Sequence, residues 1–271
     1  MGSTGPTWDP SLYARYAGER ARPFLDLLAR VTIEPHAAAD LGCGPGDMTR
    51  LLADRWPDAE LSAVDNSPEM LAKARAALPA RVQVIEADVA AWSPPSSLDL
   101  IFSNATLHWV PDHEILIPRL ASFVAPGGAL AVQMPSNHDA PSHRAIRDVA
   151  GRTRWRDRLE GLAAPSAHVL PLAWYANTLD RLGFDVDGWE TTYLHRLVGD
   201  DPVLEWVKGT ALRPFLDRLS ERLSDRVSDR GDAEAFLAEL GTELRAAYPV
   251  EAGRALFPFS RRFFVATRGV A

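Results

Sequence analysis

The chain has 271 residues, of which 46% are hydrophobic, a formal net charge of −7 and a single cysteine. A chain of this size can bury a large core, and no apolar run approaches the roughly 18 residues that a membrane span requires. The acidic balance argues against nonspecific nucleic-acid binding, which draws on basic surface. One cysteine cannot form an internal disulfide, which fits a reducing cytoplasm. Together, these features predict a cytoplasmic protein without nucleic-acid or membrane partners.

The first predicted element is a helix. Asp9 is suited to the N-cap and Pro10 to the first helical position, and the helix should run to about Arg30. Taken alone, this segment is typical of an ordinary amphipathic helix with solvated arginines.

A short apolar run followed by three alternating glycines comes next. Residues 37–41 predict a buried strand, and Gly42, Gly44 and Gly46 predict a sharp turn into a helix that starts near Asp47. Glycines lack a Cβ atom, so such a turn admits positive φ and lets a ligand touch bare backbone. Dinucleotide sites, phosphate loops and plain tight turns all use this pattern, so its context has to decide.

Acids at the ends of two successive strands narrow the choice of ligand. Asp40 ends the first apolar run, and residues 60–64 form a second run that ends in Asp65. An acid at the end of the second strand commonly accepts the two hydroxyls of a ribose. The G-x-G-x-G spacing is tighter than that of dinucleotide sites, and Pro45 removes an amide that would bind pyrophosphate. The pattern therefore predicts an adenosine ligand without phosphates and disfavours a nucleotide-cofactor oxidoreductase.

Strands and helices then continue to alternate. Asn104 is predicted at the carboxyl end of a strand, where open α/β sheets bind ligands. The alternation predicts a parallel sheet with right-handed crossovers. The predicted elements are a helix capped by Ser67 and Pro68 that runs to about residue 78, and strands at 82–87, 98–104 and 129–134, the last after a turn at 126–128.

The pattern changes after residue 136. A basic patch at residues 152–158 looks mobile, and a charged run at 218–230 is typical of a solvated helix face. The predicted elements of this part are helical stretches over 137–183 that end at Gly183, a sixth strand over 184–197, mostly helix over 202–248, and a seventh strand over 262–268.

Two sets of residues resemble known families. The stretch Asp40-Leu41-Gly42-Cys43-Gly44-Pro45-Gly46 is similar to the cofactor loop of class I S-adenosylmethionine-dependent methyltransferases. An ordered set of further motifs resembles the trans-aconitate 2-methyltransferases over nearly the whole chain. These motifs are Trp8-Asp9-Pro10 with Tyr13, Arg20 and Arg22-Pro23, Asn104-Ala105, His108-Trp109-Val110-Pro111-Asp112-His113, Ala131-Val132-Gln133-Met134-Pro135, Trp189-Glu190-Thr191-Thr192-Tyr193, Glu205-Trp206-Val207, Leu212-Arg213-Pro214 and Phe257-Pro258-Phe259.

The resemblance implies a fold and a domain plan. The implied fold is α/β, with a mostly parallel, Rossmann-like sheet of seven strands whose last strand is antiparallel, in one methyltransferase domain over residues 1–271. We expect a monomer, with a dimer as the alternative. The expected parts are a lid helix at 8–30, a cofactor-binding core at 31–136, and helical insertions at 137–183 and 200–257 that cap the substrate site.

The resemblance also implies S-adenosyl-L-methionine as the cofactor. It places Met70 near the adenosine, Asp88 and Val89 at the adenine edge, and Trp109 beneath the methionine part, where an aromatic face attracts a sulfonium cation. Core packing is the alternative for Met70 and Trp109, and an ordinary turn for Asp88. The expected cofactor-binding residues are Asp40, Gly42, Gly44, Gly46, Asp65, Asn66, Met70, Asp88, Val89, Asn104, Ala105 and Trp109.

The implied acceptor is a small anionic tricarboxylate, trans-aconitate, which becomes a monomethyl ester. A carboxylate is already ionised at neutral pH, so the enzyme has to position it in line instead of removing a proton. We expect no metal site. The catalytic candidates are His108, Tyr13 and Arg20, and the substrate-binding candidates are Trp8, Tyr13, Arg20, His108, Tyr193, His195, Arg213 and Arg261, with His138 behind them.

Several alternatives stay open. Arg213 and Arg261 are also readable as surface charges, and Tyr193 and His195 share one face of the sixth strand, which is either internal or solvent-facing. At the level of function, the alternatives are a methyltransferase for another small-molecule carboxylate, oxygen or nitrogen acceptor, and a noncatalytic protein that binds S-adenosylmethionine.

Overall fold

The computed structural model describes residue 18 and residues 21–162, 168–220 and 229–270. Trp8, Tyr13 and Arg20 lie outside these described residues. The chain divides into two compact units. The first comprises Met1–Pro135, His168–Thr191 and Arg261–Ala271, and the second comprises Ser136–Ala167 and Thr192–Ser260.

The described strands form one eight-stranded sheet in the order β3-β2-β1-β4-β5-β8-β6, and β7 pairs with β8. The pairs β1–β2, β1–β4, β2–β3 and β4–β5 are parallel, and β8 runs antiparallel to β5. The predicted parallel sheet with an antiparallel last strand is therefore confirmed, with an eighth strand of two residues in addition. The strands are β1 Ala37–Leu41, β2 Glu60–Asp65, β3 Gln83–Glu86, β4 Leu98–Asn104, β5 Val124–Pro135, β6 Phe184–Val198, β7 Val250–Glu251 and β8 Arg254–Arg268.

Helices occupy the connections between the strands. The cap predicted at Ser67 is formed, since Ser67 precedes Pro68 and its side chain accepts a hydrogen bond from the Met70 N–H at 3.4 Å. The described helices are α1 Arg22–Arg30, α2 Thr49–Arg55, α3 Pro68–Ala77, α4 His113–Ser122, α5 Pro141–Ala150, α6 Arg156–Leu159, α7 Leu172–Asp180, α8 Pro202–Lys208, α9 Arg213–Ser220 and α10 Asp229–Ala247, together with a 3₁₀ turn at Leu107–Trp109.

Two predicted boundaries were wrong. The expected helix over residues 9–30 does not continue through Gly18, which lies in a bend, and α1 begins only at Arg22; residues 9–17 lie outside the described residues. Pro23 explains this start, since proline lacks an N–H and is accommodated in the first turn of a helix. The fifth strand begins at Val124 and not at residue 129, because the expected turn at 126–128 is part of the strand and meets β4 through an irregular register.

The core of the first unit lies on the sheet and the helices next to it. Its buried residues include Leu41, Ile101 and Val132 of the parallel strands, and Tyr175 and Leu179 of α7. The helix α7 was predicted as part of an insertion, but its side chains are integral to this core.

The second unit has its own helical core. Trp155 packs edge-on against Phe236, with ring centroids 5.5 Å apart, and Phe215 stacks on Phe236 at 6.4 Å. The basic patch at residues 152–158 is ordered by acids of α10, contrary to its mobile appearance in the sequence. Arg152 bonds Glu239 at 3.0 Å, and Arg154 bonds Asp232 at 3.1 Å.

Candidate functional site

The glycine turn has the backbone that its sequence predicted. Gly42, Gly44 and Gly46 have φ values of 82°, 54° and 89°, which L side chains rarely adopt. A Cβ atom at Gly42 would lie 1.9 Å from Oγ1 of Thr106, so the turn passes directly against the segment that follows β4. The N–H groups of Gly42 and Cys43 both donate to the carbonyl of Val64, at 2.7 and 3.0 Å. These bonds fix the turn against the end of β2.

Asp65 connects this turn to the next helix. Its Oδ2 accepts a hydrogen bond from Gly44 N–H, and its Oδ1 accepts one from Ser67 N–H, both at 2.9 Å. The carboxylate is half-buried and held in one orientation, with the remaining lone pairs of each oxygen available to other donors. Two predicted neighbours follow it, since Asn66 is exposed and Met70 of α3 is half-buried.

Asp40 is the most strongly perturbed acid of the site. It is 3% exposed, and its Oδ2 accepts a hydrogen bond from the Thr49 hydroxyl at 2.6 Å. Burial raises the pKa of Asp40 to about 7, with the charge of Asp65 adding to the rise and the Thr49 hydrogen bond opposing it. The group therefore titrates near neutrality, which makes its charge sensitive to any cation placed beside it.

Cys43, between the glycines, is a packing residue. It is 6% exposed, and burial raises the pKa of its thiol to about 12. A thiol that stays protonated at neutral pH is a poor nucleophile, which agrees with the packing role that its burial indicates.

The end of β4 presents polar atoms without partners. Oδ1 of Asn104 and Nε2 of Gln133 are buried, and neither has a hydrogen-bond partner among the described residues. The two residues are register partners on β4 and β5. Ala105 follows with a φ of 53°, and its N–H donates to the Gln133 carbonyl at 2.9 Å. Unpaired buried polar atoms are costly, so this end of the two strands suits a polar ligand.

The 3₁₀ turn after Ala105 carries two predicted residues. His108 is 8% exposed and Trp109 is 45% exposed, with ring centroids 5.2 Å apart. Trp109 thus keeps a large part of its ring accessible, unlike a core residue. The turn is closed by bonds from Trp109 N–H to Thr106 and from Val110 N–H to Leu107, both at 2.9 Å.

The segment after β3 is held by a residue that the sequence did not reveal. Oδ1 of Asp88 accepts a bond from Ala90 N–H at 2.8 Å, so this acid partly serves its own turn. Val89 is buried, and its carbonyl and that of Trp92 accept hydrogen bonds from the Arg119 guanidinium, both at 2.5 Å. Arg119 lies one turn from the end of α4, and only the tertiary structure brings it to this segment.

The first unit brings the cofactor candidates together, since they follow the carboxyl ends of β1, β2, β3 and β4. It also contains Arg261, which is 6% exposed and donates through Nη1 to Oε1 of Gln133 at 3.2 Å. Arg261 is therefore no surface charge. Gln133 was quoted in a motif but given no role, although a glutamine inside the apolar run Ala131–Met134 was a signal of a buried polar contact.

The other acceptor candidates of the described chain lie in the second unit. Tyr193 and His195 are buried on the same face of β6, with nearly parallel rings 6.4 Å apart, so the internal alternative holds. His195 also stacks on Trp206 at 4.9 Å. Arg213 is the first residue of α9, and its side chain is exposed. The segment that contains His138 is tied to α5, because the His138 carbonyl accepts a hydrogen bond from Arg147.

Among the described residues, no group of three or more histidine, cysteine or acidic side chains is arranged to hold a metal ion. None of the helices described is both long enough and apolar enough to span a bilayer.

Comparison with known proteins gives concordant results. A family model described as a methyltransferase domain matches residues 38–128. The chain is 50% identical to a trans-aconitate 2-methyltransferase of Streptomyces avermitilis, covering 98% of both chains. It is 49% identical to a protein of the same name from Streptomyces coelicolor, covering 99% of this chain and 89% of that protein. A phosphoethanolamine N-methyltransferase of Haemonchus contortus, solved in complex with S-adenosyl-L-methionine, has a similar fold, with a TM-score of 0.51. The two chains are 18% identical, and the match covers 92% of this chain and 52% of that one.

Proposed function

Because this chain belongs to the trans-aconitate 2-methyltransferase family, we propose that it transfers the methyl group of S-adenosyl-L-methionine to a carboxylate of trans-aconitate. The products are the monomethyl ester and S-adenosylhomocysteine. The observation that carries the proposal is the turn at residues 42–46, which Asp65 and Val64 hold in a backbone conformation open to an adenosine.

The residues of the first unit fit the cofactor. Asp65 is oriented to accept ribose hydroxyls, and the glycine turn presents backbone without side chains in front of it. Oδ1 of Asn104, which has no hydrogen-bond partner among the described residues, is an acceptor for an ammonium group, and the accessible ring of Trp109 attracts a sulfonium. When bound, the cofactor supplies an activated methyl group for an in-line displacement. Asp40, with its pKa near 7, becomes the anion that offsets the positive charge.

The chain's contribution to the chemistry is positioning. The carboxylate acceptor is ionised at neutral pH, so no proton has to be removed before it attacks. A carboxylate oxygen has to be freed of water and aligned with the methyl group, and alignment of this kind supplies roughly 7–11 kcal/mol. His108, next to Trp109 in the 3₁₀ turn, is the described residue that we assign to acceptor contact at the transfer position. Tyr13 and Arg20 are the further catalytic candidates.

Recognition of three negative charges requires cationic and hydroxyl donors. The candidates for this role are Arg20, Arg213, Arg261, Tyr13, Tyr193, His195 and Trp8. The protein acts as a cytoplasmic monomer on a small anionic substrate and has no nucleic-acid partner.

The test is methylation of a panel of acids. The protein is incubated with S-adenosylmethionine and trans-aconitate, cis-aconitate or citrate, and methyl esters are followed by mass spectrometry. We expect a clear preference for trans-aconitate. Cofactor binding without methylation of any panel member would reject the acceptor assignment while keeping the adenosine site.

A pair of variants tests the cofactor site separately. Asp65→Ala removes the acid that orients Gly44 and should weaken S-adenosylmethionine binding at least about tenfold, because a hydrogen bond to a charged group is lost. Glu60→Ala changes an exposed acid at the other end of the same strand and should leave affinity unchanged. Equal affinities in the two variants would refute the placement of the ribose.

A further inference from the structure

His113, the first residue of α4, is buried with both ring nitrogens engaged. It is 1% exposed, its Nδ1 lies 2.5 Å from the Tyr175 hydroxyl, and its Nε2 lies 2.9 Å from the carbonyl of Leu107. The Tyr175 oxygen in turn accepts a hydrogen bond from Leu170 N–H at 3.0 Å. A series of three hydrogen bonds therefore runs from Leu170, through Tyr175 of α7 and His113, to the first residue of the 3₁₀ turn.

The partners fix the protonation state of the ring. A carbonyl only accepts, so Nε2 of His113 carries the proton that is donated to Leu107. The Tyr175 oxygen already accepts from Leu170, so its own proton is donated to the lone pair on Nδ1. Each group is satisfied only if the imidazole is neutral, and burial lowers the pKa of His113 in the same sense.

The charged and titratable groups around the pair come from each neighbouring segment. Glu114 of α4 and His168, which precedes α7, act on His113 through their charges, and Arg262 of β8 acts on Tyr175. At its far end this series of hydrogen bonds meets the central sheet, because the Tyr175 ring stacks on Phe264 of β8 with centroids 5.3 Å apart. The hydrogen bonds through His113 and Tyr175 thus link the 3₁₀ turn to the central sheet.

We propose that His113 and Tyr175 are positioning residues for methyl transfer, which hold the Leu107 carbonyl and so fix His108 and Trp109 at the cofactor and acceptor. This inference rests on the proposed function, since those two side chains are assigned to contact the reacting molecules there. Displacement of a contact by about 1 Å costs on the order of 100-fold in rate. A hydrogen bond to the backbone of the turn is suited to preventing such a displacement.

Two substitutions of His113 separate positioning from simple burial. In His113→Gln the side-chain amide reaches as far as Nε2 and keeps a donor for Leu107, whereas in His113→Asn it reaches only as far as Nδ1. We expect His113→Asn to lower kcat at least about tenfold and to weaken S-adenosylmethionine binding several-fold. We expect His113→Gln to recover most of both losses, and Tyr175→Phe, which keeps the stacked ring, to show an intermediate loss.

A buried histidine of the second unit provides the matched control. His143 is 5% exposed, and His143→Asn should lower stability without changing kcat at a temperature where the protein is folded. Hydrogen exchange of the amides of Trp109 and Val110 gives a readout that needs no acceptor, because both amides close the 3₁₀ turn. Their exchange should accelerate in His113→Asn and not in His143→Asn.

The outcomes separate the two proposals. Equal kcat, cofactor affinity and amide exchange in His113→Asn and His113→Gln would overturn the positioning role, whatever the acceptor. If exchange and cofactor affinity respond as expected but the unsubstituted protein methylates none of the panel acids, the acceptor assignment fails and the positioning of the turn stands. If His113→Asn does not fold, the comparison of Tyr175→Phe with the unsubstituted protein decides, and unchanged kcat and amide exchange there would overturn the proposal.

Discussion

The substitution Asp40→Asn should make the protein without cofactor more stable at alkaline pH. The side chain of Asp40 is buried, and its pKa is raised from 3.8 to about 7, so the folded state binds its proton more tightly than the unfolded state does. The stability that depends on this proton is fully present below pH 3.8 and is lost as the pH rises through 7. The difference between the two pKa values corresponds to about 4 kcal/mol at high pH. Asparagine has the same shape and no charge to bury.

The measurement is urea unfolding of both proteins at pH 5 and pH 8.5 without cofactor. The free energy of unfolding of Asp40→Asn relative to the unsubstituted protein should rise by about 3 kcal/mol between these pH values, because most of the penalty accumulates there. Asp54→Asn is the matched control, since Asp54 is an exposed acid of α2 paired with Arg50, and exposed pairs contribute about 0–1 kcal/mol. The same pH dependence in Asp40→Asn and the unsubstituted protein would refute the burial of a titrating carboxyl at this position.

Three further predictions concern other groups. Gly42→Ala should lower the free energy of unfolding by about 3 kcal/mol or more and abolish cofactor binding, since the added Cβ has no room. Gly127→Ala, at a φ of 77° but in open space, should lower it by only about 1 kcal/mol. Urea unfolding and calorimetric titration of the cofactor compare the two variants, and similar losses of stability would contradict the packing at Gly42. Burial lowers the pKa of His143 to about 4, so the free energy of unfolding should fall by about 3 kcal/mol as the pH falls from 6.5 towards 4. In His143→Gln, acid unfolding should show a smaller loss of stability over this range. An unchanged pH dependence in the variant would contradict the prediction. Thr49→Val removes a hydrogen bond that lowers the pKa of Asp40, so less of this carboxyl is ionised at pH 7 in the variant. Calorimetric titrations with S-adenosylmethionine should therefore show about tenfold weaker binding at pH 7 and a smaller loss of affinity at pH 9. A loss of affinity that is independent of pH would point to altered packing instead.

The position of the cofactor candidates in the fold was predictable because these residues follow their strands directly. Asp40, Asp65 and Asn104 each end a short apolar run, and parallel strands bring their carboxyl ends to one edge of a sheet. The glycine turn is equally local, since positive φ at Gly42 and Gly44 is a property of the residues themselves. Chain order and residue type were therefore sufficient.

Features set by distant parts of the chain were not predictable. The pairing of Arg152, Arg154 and Arg158 was not predictable, because their acids lie between 74 and 91 residues later in the chain. Arg119 reaches the segment after β3 only through the packing of α4, and nothing in its neighbours signals that contact. Residues 126–128 have the composition of a turn, but they lie within β5 as an irregularity between the pairs Leu98–Val124 and Leu100–Ala129, which hold the strand to β4 on either side.

The pairing of β5 with β8 has a consequence for the order of folding. Residues 129–135 of β5 lie beside residues 261–267 of β8, so this edge of the central sheet acquires its neighbour only after some 130 further residues have been synthesised. Pairings so distant in sequence form slowly, because a long loop has to close before they contribute. Until then β5 is an unpaired apolar edge, which is the kind of surface through which partly folded chains aggregate. Substitutions in residues 261–267 should therefore change the expression yield and chaperone dependence of this protein, although these residues lie far from the glycine turn in the sequence.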